Sequence, residues 1–515
     1  MNLQTELKRI ISGDVETSKE AIASVSRDAS IFEVFPQAVV YPKNIEDIKK
    51  LVTFVAAHKR KNPELSLTAR AAGTDMGGGP LSSSIVVSFT RYLNRVTSVA
   101  QDRSTTEMGV YYRDFEKETM KHGLIFPSFP ASRELCAMGG IINNNSGGEK
   151  SVYYGKTENF VASLDVVLGD GNGYTLRPLT EDELAMKKAL SGFEGEIYRK
   201  MSALVIENYE TLKAAEPHVR KNSAGYALWN VWDPRTRTFD LTRLFVGAQG
   251  TLGLVTRATI KLIRPHRYSR MIVIFLKNMS GLSAEVQKIL SYKPEAFESY
   301  DNHTLKLALR YFPSLMKQLG TKNIFRMFFQ FLPELLLILR TGMPALVLQA
   351  EFTDDHEAEL DDRVEKAATS LRALTPNVRV IRTRSGIDKY HVIRRESFNL
   401  LRHKIKGRQA APFIDDFVVP PEKLQEFLPR LEAILKKYNL IYTVAGHIGD
   451  GNFHIIPLMN LANESERAII PKLSVEVYDL VLSFGGSITG EHNDGLVRSY
   501  YLKKMFGENV YRLFE

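Results

Sequence analysis

Cysteine is nearly absent from this chain: 515 residues hold one, Cys136. A single thiol builds no disulfide, no cysteine-rich zinc site and no iron–sulfur cluster within the chain, and it fits a reducing compartment. Long apolar runs are also missing. Nothing approaches the roughly 18 consecutive apolar residues that span a bilayer, so no membrane-spanning helix is expected. The first residues, MNLQTELKRIISGDVETSKEA, lack the apolar stretch that marks a signal peptide. These absences predict a cytoplasmic protein, with peripheral contact at the inner face of the cell membrane left open. Fixed-period repeats and low-complexity tracts are absent too.

What is present is ordinary for a globular protein: 44% hydrophobic and 25% charged residues. The length suits about three domains, or two large ones. The formal net charge is +9, which admits nucleic acid, an anionic membrane or an anionic substrate. The excess is local. Residues 371–408 carry eleven Lys/Arg against Asp388 and Glu396, and residues 305–343 carry six bases against Glu334. The first tract has few interleaved aromatics and no recognised nucleic-acid motif, so no nucleic-acid partner is expected. The second is rich in Phe and Leu and reads as an amphipathic insertion. It is either a packed helical pair or a patch resting on an anionic membrane.

The first 60 residues read as helical, broken by a short strand at Val39–Tyr41 between two prolines. Residues 44–60 place Ile45, Ile48, Leu51, Val52 and Val55 at helical spacing, with acids first and bases last. Short strand-like runs follow, separated by glycine-rich turns, and close at Pro265. Beyond about 268, MIVIFLK, ALVLQAEF and NVRVIRTR read as strands, and SGLSAEVQKILSYK and DDRVEKAATSLRAL as helices. The change of texture divides the chain into 1–265 and 266–515. It predicts an α+β class with an antiparallel sheet in the second part, covered by helices on one side.

Five motifs carry chemistry. In ARAAGTDMGGGPL, four of the seven positions from Gly73 to Gly79 are glycine. Such a loop brings backbone N–H groups close to a phosphate, though it also suits a plain flexible turn. No GK[ST] follows, so it is not a P-loop. The stretch 126–155 adds Gly139–Gly140 and Gly147–Gly148 around three asparagines, and GAQGTLG at 247–253 leads into a strand. Separate glycine loops in one domain point to a single long, phosphate-containing ligand. In GHIGDGNFH, His447 and His454 bracket a turn, and folding it as a hairpin would bring both imidazoles together. GGSITGEHNDGLVR places Glu491 beside His492. Two histidines and a carboxylate suit a divalent metal with open positions, while hydrogen-bonded loop histidines without metal are the plainer alternative.

These motifs, in this order, resemble the FAD-linked D-2-hydroxyacid dehydrogenases: D-lactate dehydrogenase and the flavin subunit of glycolate oxidase. The resemblance runs from about residue 30 to the C-terminus. It implies a vanillyl-alcohol-oxidase/PCMH-type FAD-binding domain at 1–265 and a substrate domain at 266–515, in which 441–515 returns to the flavin. It implies non-covalent FAD, since no histidine lies near Gly73–Gly79 for a covalent bond. Arg70, Ala71, Ala72, Gly73, Thr74, Asp75, Met76, Gly77 and Gly78 would wrap the pyrophosphate. Pro127, Ala131, Ser132, Gly139, Gly140, Asn143, Ser146 and Gly147 would line the isoalloxazine and ribityl chain, continued by Tyr154 and Gly155. Gly250, Gly253 and Val255 would sit at the adenine end, and Asn452, Glu491 and Asn493 on the substrate side.

By the same resemblance His447, His454 and Glu491 would hold a divalent metal (Zn, Mn or Fe), His492 would be the general base, and Arg394 would grip the substrate carboxylate. The implied partners are a small anionic 2-hydroxy acid and an electron acceptor: a quinone, a cytochrome, or an iron–sulfur domain or subunit in a longer protein. Phe398 and Ile414 stand where dicarboxylate-oxidising relatives would carry polar contacts, which favours D-lactate over D-2-hydroxyglutarate.

Overall fold

The computed structural model describes residues 2–302, 305–306, 339–340, 342–391 and 407–515. The helix Ile45–His58 forms as its spacing predicts. Asn44 caps it by accepting from the Asp47 N–H at 3.0 Å, and Ile48, Leu51 and Phe54 turn inward. The N-terminus is less helical than its sequence suggests. Gly13 packs against the Tyr41 carbonyl, and Asp14–Glu16 pairs antiparallel with Ala38–Tyr41. In the same four-stranded sheet Ile85–Ser88 lies parallel between Ala38–Tyr41 and Leu67–Arg70. The glycine loop leaves the C-terminal end of Leu67–Arg70. A five-stranded antiparallel sheet follows, with Leu254–Lys261 between Val161–Val167 and Arg103–Glu107.

Among the described residues the second half builds an eight-stranded antiparallel sheet. Alternation decides its faces. From the strand Tyr268–Leu276, Ile272, Ile274 and Leu276 join the core beneath the helices Leu282–Leu290, Glu357–Arg372 and Leu424–Lys436. Met271, Val273 and Phe275 pack on the other face with Tyr300, Val347 and Tyr390. The last residues leave this sheet. Phe506 and Val510, on Leu502–Phe514, enter the core of the first half, where Phe506 stacks on Trp229 at 5.6 Å. The segment carrying Glu491 and His492 therefore crosses between the two cores.

Candidate functional site

A cavity of about 1030 Å³ lies where the glycine loops face the large sheet. Ala71, Ala72, Gly73, Thr74, Asp75 and Met76 line one wall. They are joined by Ala131, Ser132, Gly139, Gly140, Asn143, Ser146, Gly250 and Val255. The wall is made of small residues for a packing reason. A Cβ on Gly139 would lie 2.7 Å from the Met108 carbonyl, whereas one on Gly140 would project into open space. These residues fit an extended cofactor such as FAD, because backbone rather than side chain bounds the space.

The other expected cofactor residues build the wall from behind. Arg70 is buried and donates to the carbonyls of Val25 (3.2 Å) and Arg27 (2.7 Å), beneath Gly73. The N–H groups of Gly77 and Gly79 donate to Asp75 at 3.0 and 2.8 Å, so this part of the loop closes on its own carboxylate instead of facing a ligand. Gly77 and Gly78 meet Leu496 instead. Pro127 is buried, and Gly147 lies under Glu491. The Tyr154 hydroxyl donates to Glu295 at 2.9 Å, Gly155 accepts from Ser128, and Gly253 backs onto Val167. Asn452 spends its amide on Asp416 and the Phe417 carbonyl, and Asn493 donates to Gly247. Arg70, Gly77, Gly78, Pro127, Gly147, Tyr154, Gly155, Gly253, Asn452 and Asn493 thus stand behind the cavity lining. Ile414, read from sequence as a substrate position, is fully buried in the core of the large sheet. Arg394, Phe398 and most of 305–343 lie outside the described residues.

The facing wall is charged. The strands Ile441–His447 and Asn452–Met459 form the hairpin expected around GDGN, with Ala445 opposite His454 and His447 opposite Asn452. Gly451, at φ +70°, makes the turn. The two imidazole rings come within 5.3 Å, and those of His454 and His492 within 5.2 Å. His447 Nε2 lies 3.2 Å from Glu491 Oε1. Ligand atoms of His447, His454 and Glu491 fall within 4.8 Å of one another, as do those of Asp415, His454 and His492.

Sequence reasoning missed what holds these groups. Glu298 contacts His447 Nδ1 at 2.6 Å. Asp415 lies 3.1 Å from His454 Nδ1 and 2.8 Å from His492 Nδ1. Asp416 accepts the N–H groups of Gly490, Glu491 and His492 at 3.0, 2.9 and 2.8 Å. Lys221 pairs with Glu491 and, at 2.9 Å, with Asp450. The adjacent acids in PFIDDFVVP, surrounded by apolar residues, were a visible signal. Lys221 and Glu298 carry none.

Burial alone would neutralise these groups, but their partners prevent it. Burial pushes the Glu491 carboxyl up, yet Lys221 and His447 bring it well below the usual range. Burial pushes His492 down, but Asp416 and Asp415 raise it to about 9. Burial lowers Lys156 to about 8. Five buried carboxylates (Glu298, Asp415, Asp416, Asp450, Glu491) face three buried cations (Lys156, Lys221, Arg498) and the protonated His492, which leaves an excess of negative charge. That excess, with imidazole and carboxylate donors converging, fits a divalent cation.

Residues 36–177 match the FAD binding domain family, and residues 265–515 match the C-terminal domain of FAD linked oxidases. The chain is 26% identical to D-2-hydroxyglutarate dehydrogenase of Pseudomonas putida over 503 residues, covering 96% of this chain and 48% of that protein. It is 24% identical to glycolate oxidase subunit GlcD of Bacillus subtilis, covering 92% and 83%, and 26% identical to D-lactate dehydrogenase of Archaeoglobus fulgidus, covering 91% and 85%. The chain spans about half the length of the first of these relatives. Among solved structures, p-cresol methylhydroxylase with substrate bound superposes with a TM-score of 0.67 at 14% identity, over 99% of this chain and 92% of that one. An alkyldihydroxyacetonephosphate synthase superposes at 0.66 and 16%, over 99% and 81%. The fold is therefore the α+β vanillyl-alcohol-oxidase/PCMH type, and the class is that of FAD flavoproteins.

Proposed function

We propose that this protein is an FAD-dependent dehydrogenase that oxidises a D-2-hydroxy acid, with D-lactate to pyruvate as the leading reaction. One observation carries the reading. His447, His454, Glu491 and His492 converge on the wall facing the glycine loops, so a small substrate between the walls would meet both. FAD, when bound, supplies the hydride acceptor. His447, His454 and Glu491 would hold a divalent cation, which when bound supplies Lewis-acid polarisation of the substrate oxygen.

The chain's own groups do the rest. His492 takes the hydroxyl proton in its neutral form. Because its pKa is raised to about 9, it is a strong acceptor that carries a resting proton at neutral pH. Turnover in ion-free protein therefore rises from pH 7 to 9, and added divalent ion moves that limb to lower pH. Arg394 would orient the carboxylate by paired hydrogen bonds. Electrons would pass on to a quinone, a cytochrome or an iron–sulfur partner. Among the described residues no helix is long and apolar enough to cross a membrane. Peripheral membrane contact through 305–343 is part of the same proposal.

The test is spectroscopic. Purified protein should show bound-flavin absorbance that D-lactate bleaches anaerobically, and His492→Ala should slow bleaching about 10²–10⁴-fold. Wild-type-like reduction by that variant sinks the base assignment. D-2-hydroxyglutarate is the second substrate to try, since the Pseudomonas putida relative bears that name. Its failure to bleach the flavin would favour the shorter acid.

A further inference from the structure

Asp415 and Asp416 are consecutive, fully buried carboxylates that do different work. Asp416, at φ +75°, binds the backbone of the loop that carries Glu491 and His492. A non-glycine residue in that left-handed region is uncommon and marks a position the surroundings impose. The turn there lets Asp415 reach the same site. Its Oδ1 lies 3.1 Å from His454 Nδ1 and its Oδ2 lies 2.8 Å from His492 Nδ1, with the two rings stacked at 27°. The buried Arg498 holds Asp415 in place by donating to its carbonyl at 2.7 Å.

We propose that Asp415 is the positioning residue of this site, and that its one carboxylate sets the tautomers of His454 and His492 together. This rests on the functional reading above. Asp415 accepts the Nδ1 proton of His454; at His492, whose Nδ1 lies 2.8 Å from Oδ2 without hydrogen-bond alignment, the charge of the carboxylate favours the proton on Nδ1, and both Nε2 atoms are left as acceptors. His454 Nε2 is then free to ligate a cation, and His492 Nε2 to take the hydroxyl proton. Asp415 stays ionised throughout, and His492 keeps its Nδ1 proton while Nε2 gains one. A second carboxylate supplies the control. Glu298 touches His447 Nδ1 at 2.6 Å and does not bridge to His492, so it bears on the cation site alone.

Cobalt(II) titration of the flavin-loaded protein, followed by its visible absorbance, tests this against D-lactate turnover. Glu298→Gln should weaken cobalt binding about 10–100-fold, with a smaller fall in kcat at saturating cobalt than in Asp415→Asn. Asp415→Asn should weaken cobalt binding similarly and also lower kcat at saturating cobalt more than about tenfold, with KM within about threefold of wild type. Equal kcat in the two variants overturns the proposal. So does an Asp415→Asn protein that binds no cobalt at any concentration, since Asp415 would then be a ligand. If Asp415→Asn does not fold, Asp415→Glu keeps the charge and displaces the oxygens. It should retain flavin and cobalt but lose kcat, and wild-type turnover overturns the proposal. Wild-type protein that takes up no cobalt refutes the cation site itself. The His492 half is then decided by flavin bleaching alone, which Asp415→Asn should slow more than about tenfold and more than Glu298→Gln does.

Discussion

The two walls of the cavity are built from different materials. The flavin-side wall is backbone and small side chains, and its shape comes from what is missing at Gly139 and Gly140. The facing wall is a buried network of charged side chains from segments far apart in sequence: 221, 298, 415–416, 447–454 and 491–498. A backbone wall fails by being filled. A charged wall fails by losing one partner, because the other is left buried and uncompensated.

The largest expected effect tests the charged wall. Lys221 is 1% exposed and pairs with both Glu491 and Asp450. Lys221→Met removes the cation and leaves two buried carboxylates, a loss of about 3–5 kcal/mol. Thermal unfolding should show a large fall in Tm, partly recovered by a saturating divalent cation. A fall worth less than about 1 kcal/mol would mean the network is wetter than its burial indicates.

The backbone wall is tested by adjacent glycines. Gly139→Ala places a methyl 2.7 Å from the Met108 carbonyl and should destabilise the apoprotein by about 1–3 kcal/mol. A Cβ on Gly140 meets nothing within 4 Å and opens toward the cavity, so the Gly140→Leu apoprotein should fold as well as before. Its flavin content should instead fall more than about tenfold, read from the ratio of flavin to protein absorbance. Similar behaviour of the two variants would erase the distinction between a packed and a ligand-facing glycine.

This contrast explains what the sequence disclosed. Glycine loops are contiguous, so their role is visible locally. The hairpin around His447 and His454 was legible for the same reason. Lys221 and Glu298 were not, because only tertiary pairing gives them meaning. Local charge misled for a related reason. Arg372 and Arg382, in the basic tract 371–408, pair with acids of the helix Glu357–Arg372. Arg408 pairs with Glu466. Part of the +9 thus faces carboxylates of the chain itself.

The smallest effect asks whether burial by itself marks a functional acid. Glu285, on the helix Leu282–Leu290, is 4% exposed, and its Oε2 has no hydrogen-bond partner. Burial alone raises its carboxyl to about 7, whereas cations and imidazoles lower that of Glu491. A carboxyl whose folded pKa is raised stabilises the fold only at low pH. That stability is lost as pH rises from the unfolded value near 4.5 to the folded value near 7, and nothing further is lost above it. Glu285→Gln removes the ionisation. It should therefore raise stability by about 1–3 kcal/mol at pH 8 and far less at pH 5. Tm differences from wild type at the two pH values measure this. Equal differences would show that Glu285 ionises freely. The expected divergence would separate a carboxylate that merely tolerates burial from the set around His447, whose buried charge is held by partners.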